Sequence, residues 1–184
     1  QEALATAQAL GDQGLLCDVM NTLGNVFGAT HQFEAALQWY ERAEAAADRA
    51  GDRRRARIVQ VNVACRYLNQ GERELKLGKV AAGRALLHHM LALSAPLVAE
   101  SQACGDCERE FVARCNRAAA LVRLDLHRDA LEEFEDCVPM AALVGMEAAL
   151  ITVAIYRVRA LRSTGQTQRA REVGATALAG PGRH

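Results

Sequence analysis

The chain has 184 residues, 51% of them hydrophobic and 24% charged, with 22 basic and 22 acidic side chains. That balance excludes a disordered polymer, and the zero net charge sets up no global field toward nucleic acid or a membrane surface. No run is apolar enough to span a bilayer, no basic leader precedes an apolar stretch, and 36 alanines with 22 leucines against three prolines predict helix almost throughout.

In chain order, residues 1–10 read as the second helix of a pair whose first member is missing, so the chain is expected to be a fragment of a longer protein. The signature Leu10-Gly11-Asp12 follows, and it returns as Ala50-Gly51-Asp52, as Cys104-Gly105-Asp106, and in degenerate form as Val144-Gly145-Met146. The glycines stand 40, 54 and 40 residues apart. Each closes an Ala-rich helical stretch, as a left-handed residue just past a helix end does, and the aspartate after it is placed to cap the next helix. An internal repeat of this length outranks any short motif as a guide to fold.

Between the first two signatures, Leu16, Met20, Leu23, Gly24 and Phe27 recur at the helical period, and after a turn at Thr30-His31 a second stripe runs through Phe33, Ala36, Leu37, Tyr40, Ala43 and Ala47. Gly24 and Ala36 are expected to face one another across this hairpin, since small residues let two helices approach closely. The second copy carries 14 extra residues around Gly71–Val80, enough to lengthen each of its two helices by about two turns. It reads either as tolerated surface length or as a protruding hairpin that supplies a partner contact, and Pro96 inside its second helix is expected to kink or break it. The third copy repeats the pattern with Phe111, Cys115, Ala118, Ala119 and Val122, then Ala130, Leu131, Phe134 and Cys137. Ala154, Val158 and Leu161, then Ala170, Gly174 and Ala177, form the last. Residues 1–179 thus read as one domain, and 180–184 as a linker or vector-derived tail.

The succession Gly24, Phe27, Ala36, Tyr40, Ala43 resembles the tetratricopeptide repeat, with a longer period of about 40 residues and Gly-Asp where that family usually closes a repeat with proline. The resemblance implies an all-α, right-handed superhelical solenoid of antiparallel helix pairs, with about four repeats, one of them carrying the long hairpin. It also implies a protein- or peptide-binding module. Long-period copies of this kind are similar to those in bacterial signalling proteins, where they precede a GGDEF diguanylate cyclase or DNA-binding output domain. A cytoplasmic location is expected, and the alternative function is self-association that dimerises an output domain.

Chemistry-bearing clusters are sparse. Of six cysteines, Cys104 and Cys107 form a lone C-x-x-C across a turn, while Cys17, Cys65, Cys115 and Cys137 take repeat positions that suit small apolar residues, so all six read as thiols without a metal or cofactor. No P-loop, G-x-S-x-G or H-E-x-x-H occurs, and no catalytic residue is assigned. The acidic run Glu132, Glu133, Glu135 and Asp136 reads as a solvated face, the basic run Arg53-Arg54-Arg55 with Arg57 as solvated arginines, and His31 and His127 as exposed turn residues. No aromatic platform accompanies the arginines, which argues against nucleic-acid binding.

One polar pattern recurs. Asp18, Asn21, Asn25 and Gly28 share a helix face, and the aligned positions hold Val59, Asn62, Arg66 and Asn69, then Ala113, Asn116, Ala120 and Arg123. The resemblance places such first-helix positions on a concave groove. Asn21, Asn25, Asn62, Arg66, Asn69, Asn116 and Arg123 are therefore the candidate ligand-binding residues. An amide both donates and accepts, which suits a peptide backbone whatever its side chains. The same asparagines could instead tie neighbouring helices together.

Overall fold

The computed structural model of the chain describes residues 2–146 and 148–179. Among these are nine helices and no strand: α1 (Glu2–Leu10), α2 (Gln13–Ala29), α3 (Phe33–Ala50), α4 (Arg53–Lys76), α5 (Val80–Cys104), α6 (Cys107–Arg123), α7 (His127–Leu143), α8 (Ala149–Ser163) and α9 (Thr167–Ala179). None is long and apolar enough to cross a membrane. The expected tail at 180–184 lies outside the described residues.

The Gly-Asp signature works as local chemistry demands. Gly51 and Gly105 adopt φ of 66° and 71°, the left-handed region that glycine enters without a Cβ clash. Gly51 N–H then donates to Asp48 C=O and Asp52 N–H to Ala47 C=O, which closes α3. The aspartates that follow accept from backbone amides of the next helix: Asp12 from Leu15 at 3.0 Å, Asp52 from Arg55 at 2.9 Å and Asp106 from Arg109 at 3.3 Å. The turns inside each pair are equally uniform, with His31, Gly78, Asp125 and Gly165 all at positive φ.

Each helix packs on its sequence neighbour, most extensively in the pairs α2–α3, α4–α5 and α6–α7, with α5–α6 close behind and ahead of α8–α9. A second set of contacts joins α2 to α4, α4 to α6 and α6 to α8. Among the described residues no such backbone approach joins α3 to α5, α5 to α7 or α7 to α9, although Arg169 on α9 and Glu135 on α7 form an exposed pair at 3.3 Å. The even-numbered helices therefore form a row of direct neighbours, while the odd-numbered ones are splayed apart. Burial follows the same progression, in successive apolar clusters centred on Tyr40 and Val59, on Leu87, Met90 and Leu124, and on Val122, Phe134 and Val153.

Helix lengths account for the insertion. α4 and α5 have 24 and 25 residues, whereas α2 and α3 have 17 and 18 and α6 and α7 have 17 each, so both helices of the second pair gain about two turns. Of the kink or break expected at Pro96, the break does not occur, and α5 runs through the proline. Proline removes one N–H donor, and the turn before it is held by Ser94 Oγ donating to Leu91 C=O at 3.1 Å and by Arg117 Nη1 donating to the same oxygen at 3.2 Å. Leu97 and Ser101 beyond the proline are buried, so packing on both sides carries the helix through.

Other expectations also change. A Cβ at Gly24 would meet the fully buried Tyr40 ring at 2.5 Å, so the aromatic ring, not Ala36, lies over this glycine. Of the basic run, Arg55 is bound by Asp18 at 2.9 Å and by Asp52 at 2.6 Å, and Arg57 stands 3.6 Å from Asp106. Only Arg53 and Arg54 are exposed as solvated arginines are. Glu133 is not on a solvated face: it accepts from Arg114 at 3.1 Å and Arg117 at 2.8 Å, and Arg114 also meets Glu110 and Asp136. His127 is largely buried, its side chain 15% exposed.

Three outcomes follow for stability. Gly24→Leu should cost about 1–3 kcal/mol by overpacking Tyr40. By contrast, Gly174→Ala, whose new methyl meets only Val158 at 3.9 Å, should be neutral or stabilising by up to about 1 kcal/mol, both read by thermal melting. Backbone and side-chain hydrogen bonds from Arg55 hold the Asp52 carboxyl below its ordinary range. Its contribution is thus complete above the unfolded aspartate pKa and lost as pH falls through the folded one. Asp52→Ala should cost about 1 kcal/mol at neutral pH, and chemical denaturation should show the gap to wild type closing in acid.

Candidate functional site

The row α2–α4–α6–α8 carries the recurring polar residues, and the structure divides them. Asn62 Nδ2 donates to Asn21 Oδ1 at 2.9 Å, a rung between α4 and α2 in which both amides are half-buried. Asn25 Oδ1 accepts from Tyr40 Oη at 2.8 Å. Burial pushes the Tyr40 phenol up to about 12, so it remains a hydrogen donor across the physiological range. Arg123 Nε donates to Glu72 Oε1 at 2.7 Å, and Tyr156 Oη donates to the same oxygen at 2.7 Å. Burial alone would lower the Arg123 pKa, but the Glu72 carboxylate outweighs it and holds the cation above its ordinary value. The expected row of free asparagine amides is therefore interrupted. Asn21, Asn25, Asn62 and Arg123 already have partners inside the fold.

Arg66, Asn69 and Asn116 border open space, and the first two make only long contacts to the Cys65 thiol, from Arg66 Nη2 at 3.7 Å and Asn69 Nδ2 at 3.6 Å. Arg66 lies over Gly28, where a Cβ would stand 2.5 Å from Arg66 Cδ, and its Nε is buried without a partner among the described residues. With Asn69 it borders a cavity of about 450 Å³ between the end of α2, the start of α3 and the far half of α4. Asn69 also borders a second cavity, of about 180 Å³, whose other walls include Asn116 on α6 and Thr152 and Tyr156 on α8. The two cavities thus share Asn69, and the Glu72–Tyr156 hydrogen bond joins their walls from α4 to α8.

Sequence reasoning missed Arg73, Lys76 and Phe33 in the larger cavity and Thr152 and Tyr156 in the smaller one. The first two were within reach: Arg66, Asn69, Arg73 and Lys76 lie at i, i+3, i+7 and i+10, the spacing already seen in Asp18, Asn21, Asn25 and Gly28, carried on into the inserted turns. Tyr156 has no such signal, because only packing brings α8 to α4.

The thiols divide too. Cys17 and Cys137 are buried, Cys65 and Cys115 border the smaller cavity, and Cys104 and Cys107 are exposed. The Cys137 thiol is pushed far up by its contact with the Cys115 thiol and by burial, which keeps it protonated and unreactive at neutral pH. No group of three or more potential metal ligands gathers among the described residues.

No protein-family model matches the chain, and no curated protein matches it in sequence.

The Glu72 link yields a direct test of what holds this row. Its carboxylate and the Arg123 side chain are 15% and 25% exposed, so the pair is partly desolvated. Glu72→Ala leaves both donors unmatched and should cost about 2 kcal/mol in chemical denaturation, whereas Tyr156→Phe should cost about 1 kcal/mol.

Proposed function

We propose that the chain is a solenoid of tetratricopeptide type, with four helix pairs from α2 to α9, and that it binds an extended protein segment along the row α2–α4–α6–α8 without catalysing a reaction. The observation that carries the reading is the pair of cavities on that row, joined at Asn69 and bordered by polar side chains from three of its four helices. An extended segment spans both cavities. The Asn69 and Asn116 amides offer donors and acceptors to its backbone, and Arg66 offers a charged donor. The contact asymmetry of the helices supports the solenoid, since a row of touching inner helices with splayed outer ones is the geometry of a curved stack. In the same reading, the domain is the sensory or regulatory part of a bacterial cytoplasmic signalling protein, and the segment it binds governs an attached diguanylate cyclase or DNA-binding domain.

Self-association is a second reading, favoured by the apolar residues Ile151 and Ile155 at 50% and 65% exposure on α8 and Leu143 at 79% at the end of α7. It would bring output domains together without any peptide.

Selection from a displayed random-peptide library against the chain tests the first reading. Selected peptides should bind about tenfold or more weakly to Asn116→Ala and to Thr152→Arg, an exposed change that closes the mouth of the smaller cavity, at unchanged melting temperature. Peptides that bind Thr152→Arg as tightly as wild type, or a selection that yields none, overturn it.

A further inference from the structure

The larger cavity holds an excess of positive charge that nothing in the fold answers. Arg66, Arg73 and Lys76 border it, and none of the three makes an ion pair among the described residues. The acidic side chains nearby are already engaged. Glu72 is held by Arg123 and Tyr156, and Glu74 by Lys79 at 3.2 Å and Gln70 at 2.8 Å. Three like charges on one stripe of α4 repel one another, a cost that an anionic ligand relieves.

We propose that this cavity is a binding site for a phosphate monoester. A carboxylate carries one charge and would leave two of the cations unmatched. A phosphate monoester carries close to two charges and presents three strong acceptor oxygens, and guanidinium forks match such oxygens in pairs. At about 450 Å³ the cavity is larger than the phosphate itself, which leaves room for the attached organic group beside Ala29 and Phe33. The Phe33 ring is set edge-on to Tyr67 at 5.3 Å, and Tyr67 in turn to His89 at 4.4 Å, so this apolar wall is supported from behind.

The insertion builds the site. Were α4 as long as α2 and α6, at 17 residues, it would end at Asn69, and Gln70, Glu72, Arg73 and Lys76 would be missing from the cavity wall. Gly28 completes it from the other side by admitting the Arg66 stem where any side chain would intrude. The cavity adjoins the proposed peptide track at Asn69 but does not depend on it, since a free phosphate ester fills it whether or not a peptide binds.

Titration calorimetry of the full chain with phenyl phosphate tests the proposal, with benzoate as the singly charged control. Phenyl phosphate should bind at least tenfold more tightly than benzoate. Arg73→Gln with Lys76→Gln, both exposed and both replaced by a good helix former, should weaken it tenfold or more while the melting temperature holds. Gly28→Ala, which displaces only the flexible end of Arg66, should weaken it severalfold. A phosphotyrosyl peptide that binds more tightly than phenyl phosphate, with the excess lost in Thr152→Arg, assigns the phosphate to a partner's side chain; equal affinity assigns it to a free small molecule. Benzoate binding as tightly as phenyl phosphate, full affinity in the double variant, or no binding of phenyl phosphate at millimolar concentration overturns the proposal. Each of these results is independent of whether the peptide library yields a binder.

Discussion

Close approach of paired helices at glycine is the constraint on which the rest of the molecule depends. At Gly24 the Tyr40 ring occupies the space a side chain would fill, and at Gly71 and Gly83 the two helices of the long hairpin come nearer still. A Cβ on Gly83 would stand 2.9 Å from the Gly71 carbonyl oxygen, and one on Gly71 3.1 Å from that of Gly83, so backbone faces backbone there. Rings and alanines can then fill the seams: Ala36, Tyr40, Ala43, Ala46 and Ala47 on α3 are all fully buried. Small core residues bury little area each, and the many seams of a repeat architecture compensate, each stabilised by its neighbours rather than by one central core.

Charge then joins one pair to the next, and its less exposed contacts lie on the even-numbered helices, while Arg84 on α5 with Asp125 and Arg169 on α9 with Glu135 on α7 pair in the open. Arg55 on α4 reaches Asp18 on α2, Arg57 on α4 reaches the Asp106 cap of α6, and Glu72 on α4 gathers Arg123 from α6 with Tyr156 from α8. The Arg57–Asp106 and Glu72–Arg123 pairs are partly screened from water, where such a contact outweighs an exposed ion pair, whereas Arg55 and Asp18 are more exposed and gain mainly from their bidentate geometry. The inserted turns of α4 take part in this, because Glu72 lies within them. The same two turns that supply the carboxylate closing the row also raise Arg73 and Lys76 beside Arg66, so the longest hairpin both binds the row together and leaves its cations unanswered.

Much of the secondary structure was legible without coordinates. The Gly-Asp signatures fall at the helix boundaries they were read to mark, at Gly51-Asp52 and Gly105-Asp106, because a left-handed glycine and a capping carboxylate act over three or four residues and need no tertiary partner. The two added turns in each helix of the second pair follow from repeat arithmetic alone. Where the reading failed, a longer-range contact had intervened. Pro96 stays within α5 because packing on both sides outweighs one lost donor, and Glu133, alone of the acidic run on α7, is drawn inward by Arg114 and Arg117 from α6 while Glu132, Glu135 and Asp136 stay exposed.

The candidate site divides along the same line. The sequence by itself determined which residues share a helix face, since 3.6 residues per turn places Asn62, Arg66 and Asn69 together, and Arg73 and Lys76 with them, whatever the fold. It could not determine whether those side chains find partners, because a hydrogen bond between Asn62 and Asn21 joins residues 41 positions apart and the one between Tyr156 and Glu72 joins residues 84 apart. Only the tertiary structure decided that Asn21, Asn62 and Arg123 are bound within the fold while Arg66, Asn69 and Asn116 stand open. The distance between α4 and α8 is set by how closely the helices between them pack, a sum over many glycine and alanine contacts that no local window of residues contains.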